Sequence, residues 1–293
     1  MEETNRKRPR EDSQESVGLN LARLERSIFC VEPLDDILKV VSDFLYKHLD
    51  RPHVEIEAKL GVLIDTRTNQ RIKLPVATET VMSLEDDKWF RFESDMKLEQ
   101  HKHFNEILNK RVSESKAPNY RGAIIEYKHT RETDRFYKVD GAKVRVTTDQ
   151  QTGEVVADGI VEKKRVANLN IHSPNTRLDF RITISEEIPK SLPEGKHLFE
   201  RNKDRLSYRH EIWKFDLTQV KGNEQPSRPQ PSFYGYRAPE RTPELKHELE
   251  LEFADPKVLL NERKKIERGE PNNYSTVVKV FLNNIRLLAK KAL

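Results

Sequence analysis

The stretch HVEIEAKLG, from His53 to Gly61, alternates apolar and charged residues without a break. On a β-strand successive side chains point to opposite faces, so the two kinds of residue separate. The apolar face carries Val54, Ile56, Ala58 and Leu60. The charged face carries Glu55, Glu57 and Lys59. Taken alone, this pattern is typical of an antiparallel strand with one buried face and one face in water.

A second acidic strand lies far along the chain, in HELELEF from His247 to Phe253. Its apolar residues separate in the same way from Glu248, Glu250 and Glu252. Like charges that face each other destabilise a sheet, so two acidic rows need a positive partner. Divalent metals that prefer oxygen ligands, such as Mg²⁺, Mn²⁺ and Ca²⁺, are the usual partner. The two strands together favour a metal site over a solvated face.

Basic residues form matching rows. In ERNKDRLS the residues Arg201, Lys203 and Arg205 share one strand face, and in KVRVT the residues Lys143 and Arg145 share another. If the sheet closes into a barrel with these faces inward, its interior is a tunnel with an acidic floor and a cationic wall. Arginine and lysine clamp phosphoryl oxygens while a metal polarises them. The sequence therefore favours a site for a phosphate chain with its metal.

Composition sets limits on the class of protein. Among 293 residues, 35% are hydrophobic and 35% charged, against about 45–50% apolar in an average domain. Either long disordered parts or a polar interior would account for this. The net charge of only +4 argues against a protein that coats nucleic acid with a basic face. Cys30 is the only cysteine, which excludes an internal disulfide and a multi-cysteine zinc site.

The chain is expected to have a polar tail and one catalytic domain. Residues 1–20 are predicted to be disordered, and the run NRKRPRED within them indicates a nuclear-import signal or a solvated tail with about equal weight. The domain would span residues 21–293. No apolar run approaches the roughly 18 residues of a membrane span, so no membrane partner is expected.

Helices are predicted at about 33–49, from about Asp95 to Val112, and at about 275–292. In the second of these, His101 and His103 lie on different helix faces, which favours solvated side chains over metal ligands. A Pro-rich loop is predicted at 221–246. Strands are predicted in AIIEYKH, DRFYKV, KVRVTTD, GIVEKKRV, LDFRITISEEI, DRLSYRHEIWKFDLTQV and KHELELEF. Together these predict a mainly β (α+β) fold.

Four collinear motifs between Val54 and Phe253 carry a family resemblance: VEIEAKLG, RNKDR, WKFDLT and ELELEF. They resemble the glutamate strands, the Arg-x-Lys-x-Arg strand and the Asp-x-Thr strand of the fungal and protozoal triphosphate tunnel metalloenzymes. This group comprises the metal-dependent RNA 5′-triphosphatases of mRNA capping, those of yeasts included. Lys214 departs from the pattern, because the family usually has arginine ahead of its Asp-x-Thr pair.

The resemblance implies a closed eight-stranded antiparallel β tunnel with supporting helices, and it implies roles for particular residues. Metal ligands would be Glu55, Glu57 and Glu252. Glu250 and Glu187 would hold waters around the metal, with Glu187 placing the attacking water. The γ-phosphate would be bound by Arg145, Lys203 and Arg205, supported by Asp216 and Thr218. Lys59 and Arg201 face inward by alternation and are also expected to bind the substrate phosphates. The register of Lys163, Lys164 and Arg165 stays open.

The activity implied by the resemblance is removal of the γ-phosphate from triphosphate-ended nascent mRNA in the nucleus, which leaves a diphosphate end. The cofactor would be Mg²⁺ or Mn²⁺, with Co²⁺ possible, and Mn²⁺ or Co²⁺ would also support cleavage of nucleoside triphosphates. The partners implied are triphosphate-ended RNA, a second copy of the chain, an RNA guanylyltransferase and the RNA polymerase II transcription machinery.

Two other functions remain compatible with the residues alone. The first is a tunnel-fold hydrolase of a small triphosphate, such as thiamine triphosphate or inorganic triphosphate. The second is a non-catalytic module that binds RNA ends or acidic peptides and whose carboxylates are merely solvated. The usual P-loop signature G-x-x-x-x-G-K-[ST] is absent from the chain.

Overall fold

A computed structural model describes residues 25–82, 88–223 and 244–293. The predicted tail 1–20 lies outside these residues, as does most of the predicted Pro-rich loop. Residues 221–222 and 245–246, predicted as the ends of that loop, belong instead to strands. The chain divides into two compact units, Met1–Asp35 and Asp36–Leu293. In the described part of the first unit, the Ser27 hydroxyl donates a 2.6 Å hydrogen bond to the Val31 carbonyl.

The second unit contains four helices and ten strands within its described residues. The helices are α1 (Asp36–His48), α2 (Leu98–Ser115), α3 (Lys257–Glu267) and α4 (Tyr274–Lys291). The strands are β1 (Val54–Asp65), β2 (Thr80–Val81), β3 (Phe90–Glu93), β4 (Glu126–Val139), β5 (Ala142–Asp149), β6 (Val155–His172), β7 (Asp179–Pro189), β8 (Phe199–His210), β9 (Trp213–Gly222) and β10 (Leu245–Phe253).

Eight of the strands form a closed antiparallel barrel, as predicted. Their order is β10-β9-β8-β4-β5-β6-β7-β1, and pairing of β1 with β10 closes the ring. The short strands β3 and β2 are additions, which pair with the far end of β1 and with β6. Gly61 permits the first addition, because a Cβ atom there would lie 2.1 Å from the Glu93 carbonyl oxygen.

The apolar core lies outside the barrel, between the sheet and the helices. Ile56, Ala58 and Leu60 of β1 are fully buried in one cluster with residues of α1 and α4. Helix α2 covers β9 and β10, and Leu249 and Leu251 of β10 belong to the same cluster. The opposite face of each strand therefore lines the interior, and this polar interior contributes to the low apolar content of the sequence.

The helices begin and end close to the predicted residues. Helix α1 begins at Asp36 and not at Pro33, since Leu34 is exposed and the first buried residue of the stripe is Leu38. Helix α2 begins at Leu98, because the Asp95 carboxylate ahead of it accepts a hydrogen bond from the His247 amide.

Helix α3 was missed. Leu259 and Glu262 are its only buried residues, so its sequence carries too weak an apolar stripe to predict a helix. In the described parts of the chain, no helix is both long and apolar enough to span a membrane.

The structure corrects the expectation that His101 is solvated. Its side chain is buried and its ring lies 4.9 Å from the ring of His247 on β10, so it is not solvated. Burial, assisted by the nearby His247, lowers the pKa of His101 from 6.5 to about 4.

Replacing His101 by phenylalanine should make stability less dependent on pH between 6.5 and about 4. In that window the unfolded chain takes up a proton that the folded chain does not, so the wild type loses stability as the pH falls. Urea unfolding across the window measures the effect, with His103→Phe on the same helix as the control. Equal loss of stability in the wild type and the His101 variant would contradict this origin.

Candidate metal and phosphate site in the tunnel

Carboxylates from three adjacent strands share the interior of the barrel. Glu57 on β1 lies opposite Glu252 on β10, and Glu250 lies opposite Asp216 on β9. Directly opposed residues of antiparallel strands point to the same face. Glu55 joins them by alternation along β1. Glu57 and Asp216 are 5% and 2% exposed, so this acidic cluster is withdrawn from water.

Lysine side chains lie between these carboxylates. The Lys59 ammonium is 2.5 Å from Glu250 and 3.6 Å from Glu57. Lys214 contacts Glu252 and lies 3.3 Å from Asp216. Lys214 therefore occupies the inward position that the family usually gives to arginine.

The register settles which residue of the VEKKRV stretch faces inward. Lys163 lies opposite Glu187 on β7, contacts Glu55 and lies 3.4 Å from Glu57. Lys164 alternates outward, and Arg165 is exposed beside a bulge in the β6–β7 pairing. The sequence alone did not show that Lys163 faces inward, because no residue pattern reveals the bulge in its strand.

Burial and ion pairing set the charges of these groups. Burial works against the charged form of Lys59, but Glu250 and Glu57 raise its pKa well above the usual value. Burial likewise works against a charged Glu250, yet the Lys59 charge holds its pKa below the usual range. Burial raises the pKa of Glu252 to about 7, with Asp216 and Glu55 adding to the shift and Lys214 opposing it. At Glu252, added positive charge would therefore be favourable.

The donor set suits a divalent metal. Glu55, Glu57 and Glu252 offer carboxylate oxygens, the ligands preferred by Mg²⁺ and Mn²⁺. Among the residues that the structure describes, no three carboxylate or imidazole groups form a ready-made ligand cluster. Each of the three carboxylates instead lies against a lysine ammonium group. A metal would take over the neutralisation that these ammonium groups provide.

A cationic wall faces the acidic cluster, formed by Arg145 on β5 with Lys203 and Arg205 on β8. Each cation is held by a carboxylate: Arg145 by Glu187 at 2.9 Å, and Lys203 by Asp134 at 2.6 Å. Arg205 lies 3.6 Å from Glu132 and 3.5 Å from Asp216. Glu132 and Asp134 of β4 were not identified from the sequence, although they alternate with Phe136 on one strand face.

Some donors in this wall have no acceptor in the described part of the chain. Arg145 Nε and Thr218 Oγ1 are buried and lack a hydrogen-bond partner there. Buried donors are normally paired, so these two groups suit a ligand rich in acceptor oxygens, such as a phosphate chain. Asp216, predicted to support the wall, accepts a hydrogen bond from the Ser207 hydroxyl at 2.7 Å.

Arg201 lies on the same face of β8 but away from the acidic cluster. Its guanidinium is 5.3 Å from the centre of the Phe136 ring and 5.7 Å from that of Phe199. The structure thus brings all twelve predicted site residues to the interior face, with Arg201 set apart from the rest of the wall. Their roles as ligands of metal or phosphate remain predictions.

The chain is similar in sequence to beta subunits of mRNA-capping enzymes. The family model described as mRNA capping enzyme, beta chain, matches residues 31–293. The mRNA-capping enzyme subunit beta of Schizosaccharomyces pombe is 36% identical over 96% of this chain and 89% of its own length. The subunit of the same name from Cryptococcus neoformans is 31% identical over 92% of this chain and 65% of its own length.

Two solved structures show the same fold. The structure of the S. pombe Pct1 RNA triphosphatase superimposes with a TM-score of 0.80, at 36% identity, and covers 92% of this chain and 99% of that chain. A second structure, of the same protein in complex with the Spt5 CTD, also has a TM-score of 0.80 at 36% identity and covers 92% of this chain and 98% of that chain.

Replacing Lys163 by methionine should strengthen Mn²⁺ binding by roughly tenfold, the equivalent of about 1.4 kcal/mol. The metal would no longer have to displace an ammonium group from Glu55 and Glu57. Calorimetric titration without substrate measures this, with Lys190→Met as the control, since Lys190 pairs with Glu162 at the surface. Weaker Mn²⁺ binding in the Lys163 variant would argue against a metal between these carboxylates.

Proposed function

The chain belongs to the family of mRNA-capping enzyme beta chains, and on this premise we propose that it is an RNA 5′-triphosphatase. It hydrolyses the bond between the β- and γ-phosphates of triphosphate-ended nascent mRNA, the first step of capping. One observation carries the proposal: an acidic cluster and a cationic wall face each other inside one closed barrel. This pairing matches a phosphate chain accompanied by a metal.

The side chains divide the work of hydrolysis. A divalent metal held by Glu55, Glu57 and Glu252 would supply positive charge to a γ-phosphate oxygen. Arg145, Lys203 and Arg205 bind the γ-phosphate and neutralise charge that develops in a loose transition state. Asp134 and Glu132 hold Lys203 and Arg205 in place.

Water is the nucleophile, and Glu187 is proposed to position it with help from Glu250. Attack in line with the leaving β-phosphate oxygen breaks the bond to the γ-phosphorus and releases inorganic phosphate and a proton, without a covalent intermediate. Glu187 is itself oriented by the 2.9 Å hydrogen bond from Arg145. The group that places the water is thus coupled to a group that holds the phosphate.

The alternatives have less support. A binding module with solvated carboxylates does not match the burial of Glu57 and Asp216 or their ion pairs. A hydrolase of small triphosphates shares the tunnel chemistry, but the family match and the relatives concern mRNA capping.

Cellular context is proposed on the same basis. The protein acts in the nucleus as a homodimer, with residues 21–293 as its catalytic domain, and it works with an RNA guanylyltransferase and the polymerase II machinery. Relatives named as beta subunits of a capping enzyme support a partner subunit. The solved complex of the S. pombe triphosphatase with the Spt5 CTD supports a further contact.

Replacing Glu57 by glutamine should lower turnover at least about a hundredfold, because the shape of the side chain is kept but its charge is lost. Phosphate release from γ-labelled triphosphate-ended RNA, with and without Mg²⁺ or Mn²⁺, measures the activity. Glu162→Gln, a glutamate of a surface pair, is the control and should retain the wild-type rate. Near-normal release by the Glu57 variant would disprove the assignment of this residue as a metal ligand.

All four ribonucleoside triphosphates should be split to diphosphates at similar rates with Mn²⁺ or Co²⁺, and less well with Mg²⁺. Recognition through the phosphates leaves little role for the base. Phosphate release from ATP, GTP, CTP and UTP with each metal tests this, and Lys203→Ala should abolish most of it. A strong preference for one base, or full activity without Lys203, would place recognition outside the cationic wall.

A further inference from the structure

Two phenylalanine rings stack inside the charged barrel. Phe136 on β4 and Phe199 on β8 have ring centroids 4.4 Å apart and an interplanar angle of 19°. The two residues are opposite in register, and Phe136 also lies opposite Arg145 on β5. Because opposed residues share a face, both rings lie on the inward face with Arg145.

The aromatic pair is separate from the main apolar clusters. Neither residue belongs to the two apolar clusters found among the described residues. Phe136 is nevertheless only 8% exposed. Two stacked aromatic rings on an interior face that is lined mainly by charged and polar groups suggest a role beyond packing.

Two cations accompany the rings. The Lys143 ammonium lies 5.5 Å and 5.7 Å from the centres of Phe136 and Phe199. The Arg201 guanidinium lies at 5.3 Å and 5.7 Å from the same centres. These distances are within the range of cation–π attraction, which holds each cation beside the rings. We call Phe136, Lys143, Phe199 and Arg201 the tunnel mouth.

The tunnel mouth lies next to the phosphate-binding wall. Phe136 follows Asp134 by two residues, and Arg201 and Lys143 precede Lys203 and Arg145 by two residues. Two residues span about 6.6 Å of strand. Phe136 is therefore level with Arg145, whereas Lys143 and Arg201 lie one inward-facing position beyond Arg145 and Lys203, towards the end of the barrel where the β4–β5 turn lies. A chain attached to a triphosphate in the wall can reach it.

We propose that the tunnel mouth binds the first nucleotides of the RNA, with a base stacked on the phenylalanine pair and backbone phosphate beside Lys143 and Arg201. Sites for single-stranded nucleic acid combine cationic grooves with aromatic platforms in this way, and stacking tolerates any base. The proposal rests on the proposed function, since it names what holds the RNA behind its triphosphate. Inorganic tripolyphosphate has no nucleotide and gains nothing from the mouth.

The experiment compares a short 5′-triphosphate RNA, labelled at its 3′ end, with inorganic tripolyphosphate. Fluorescence anisotropy without metal gives the Kd for the RNA, and phosphate release with Mn²⁺ gives kcat and KM for both substrates. Phe199→Ala should weaken RNA binding about tenfold, the scale of one lost stacking contact. Lys143→Ala should also weaken it, because it removes a cation that lies beside the RNA backbone phosphate. The KM for RNA should rise in parallel, whereas the values for tripolyphosphate should change far less.

Two further variants separate binding from folding. Phe199→Tyr keeps the aromatic face and should restore RNA affinity, and Lys39→Ala, an exposed cation on α1, should leave both substrates unaffected. Wild-type RNA affinity in Phe199→Ala, or equal losses for RNA and tripolyphosphate, would overturn the proposal. A wild-type protein that binds the RNA but releases no phosphate would refute the proposed function alone, because the anisotropy comparison would still decide the role of the mouth.

Discussion

Inside the barrel, lysine and arginine side chains neutralise carboxylates that would otherwise repel one another across neighbouring strands. Lys59, Lys163 and Lys214 lie within the acidic cluster, and carboxylates in turn hold the cations of the opposite wall. Each buried charge loses its hydration, so removing a single partner leaves a costly uncompensated charge. The interior is therefore a coupled network, in which a metal or a phosphate must exchange places with existing ion pairs.

This coupling explains how one interior could bind two ligands of opposite charge. A metal would add positive charge where Glu252 has an excess of acidic neighbours. A phosphate chain would add negative charge where Arg145 and Arg205 lie. The two ligands would neutralise one another, so the proposed site would gain more from binding both than from either alone.

Alternation in the sequence predicted the strands and separated their apolar and charged faces, whereas the closed eight-stranded barrel was implied by the family resemblance. The segments Val54–Leu60 of β1 and His247–Phe253 of β10 keep a period of two, and a shift of one residue would bury charge against the helices. That constraint explains why Glu55, Glu57 and Glu250 could be placed correctly from the sequence. The prediction was incomplete where the local signal was weak: Lys163 lies near a bulge, and Glu132 lies between the two stretches, AIIEYKH and DRFYKV, that were predicted as separate strands but form the single strand β4.

The boundaries of some strands could not be predicted, because their turns lack the usual turn residues. The stretch DRLSYRHEIWKFDLTQV was predicted without a break, yet the chain turns between β8 and β9 at Glu211, which adopts a φ of 55°. No glycine or asparagine marks that turn, so it could not be predicted from turn residues. Helix α3 and the cation–aromatic contacts of Arg201 likewise depend on tertiary neighbours that periodicity does not reveal.

Closure of the barrel has a consequence for how the protein acquires its structure. The first strand pairs with the last, and the Tyr274 hydroxyl at the start of α4 donates a hydrogen bond to the Ser42 carbonyl in α1. These contacts join segments separated by some two hundred positions, and such distant pairings slow folding. During synthesis one edge of β1 therefore stays unpaired, and one of its apolar faces stays uncovered, until β10 has been made. A chaperone that shields strand edges would have its main effect in that interval.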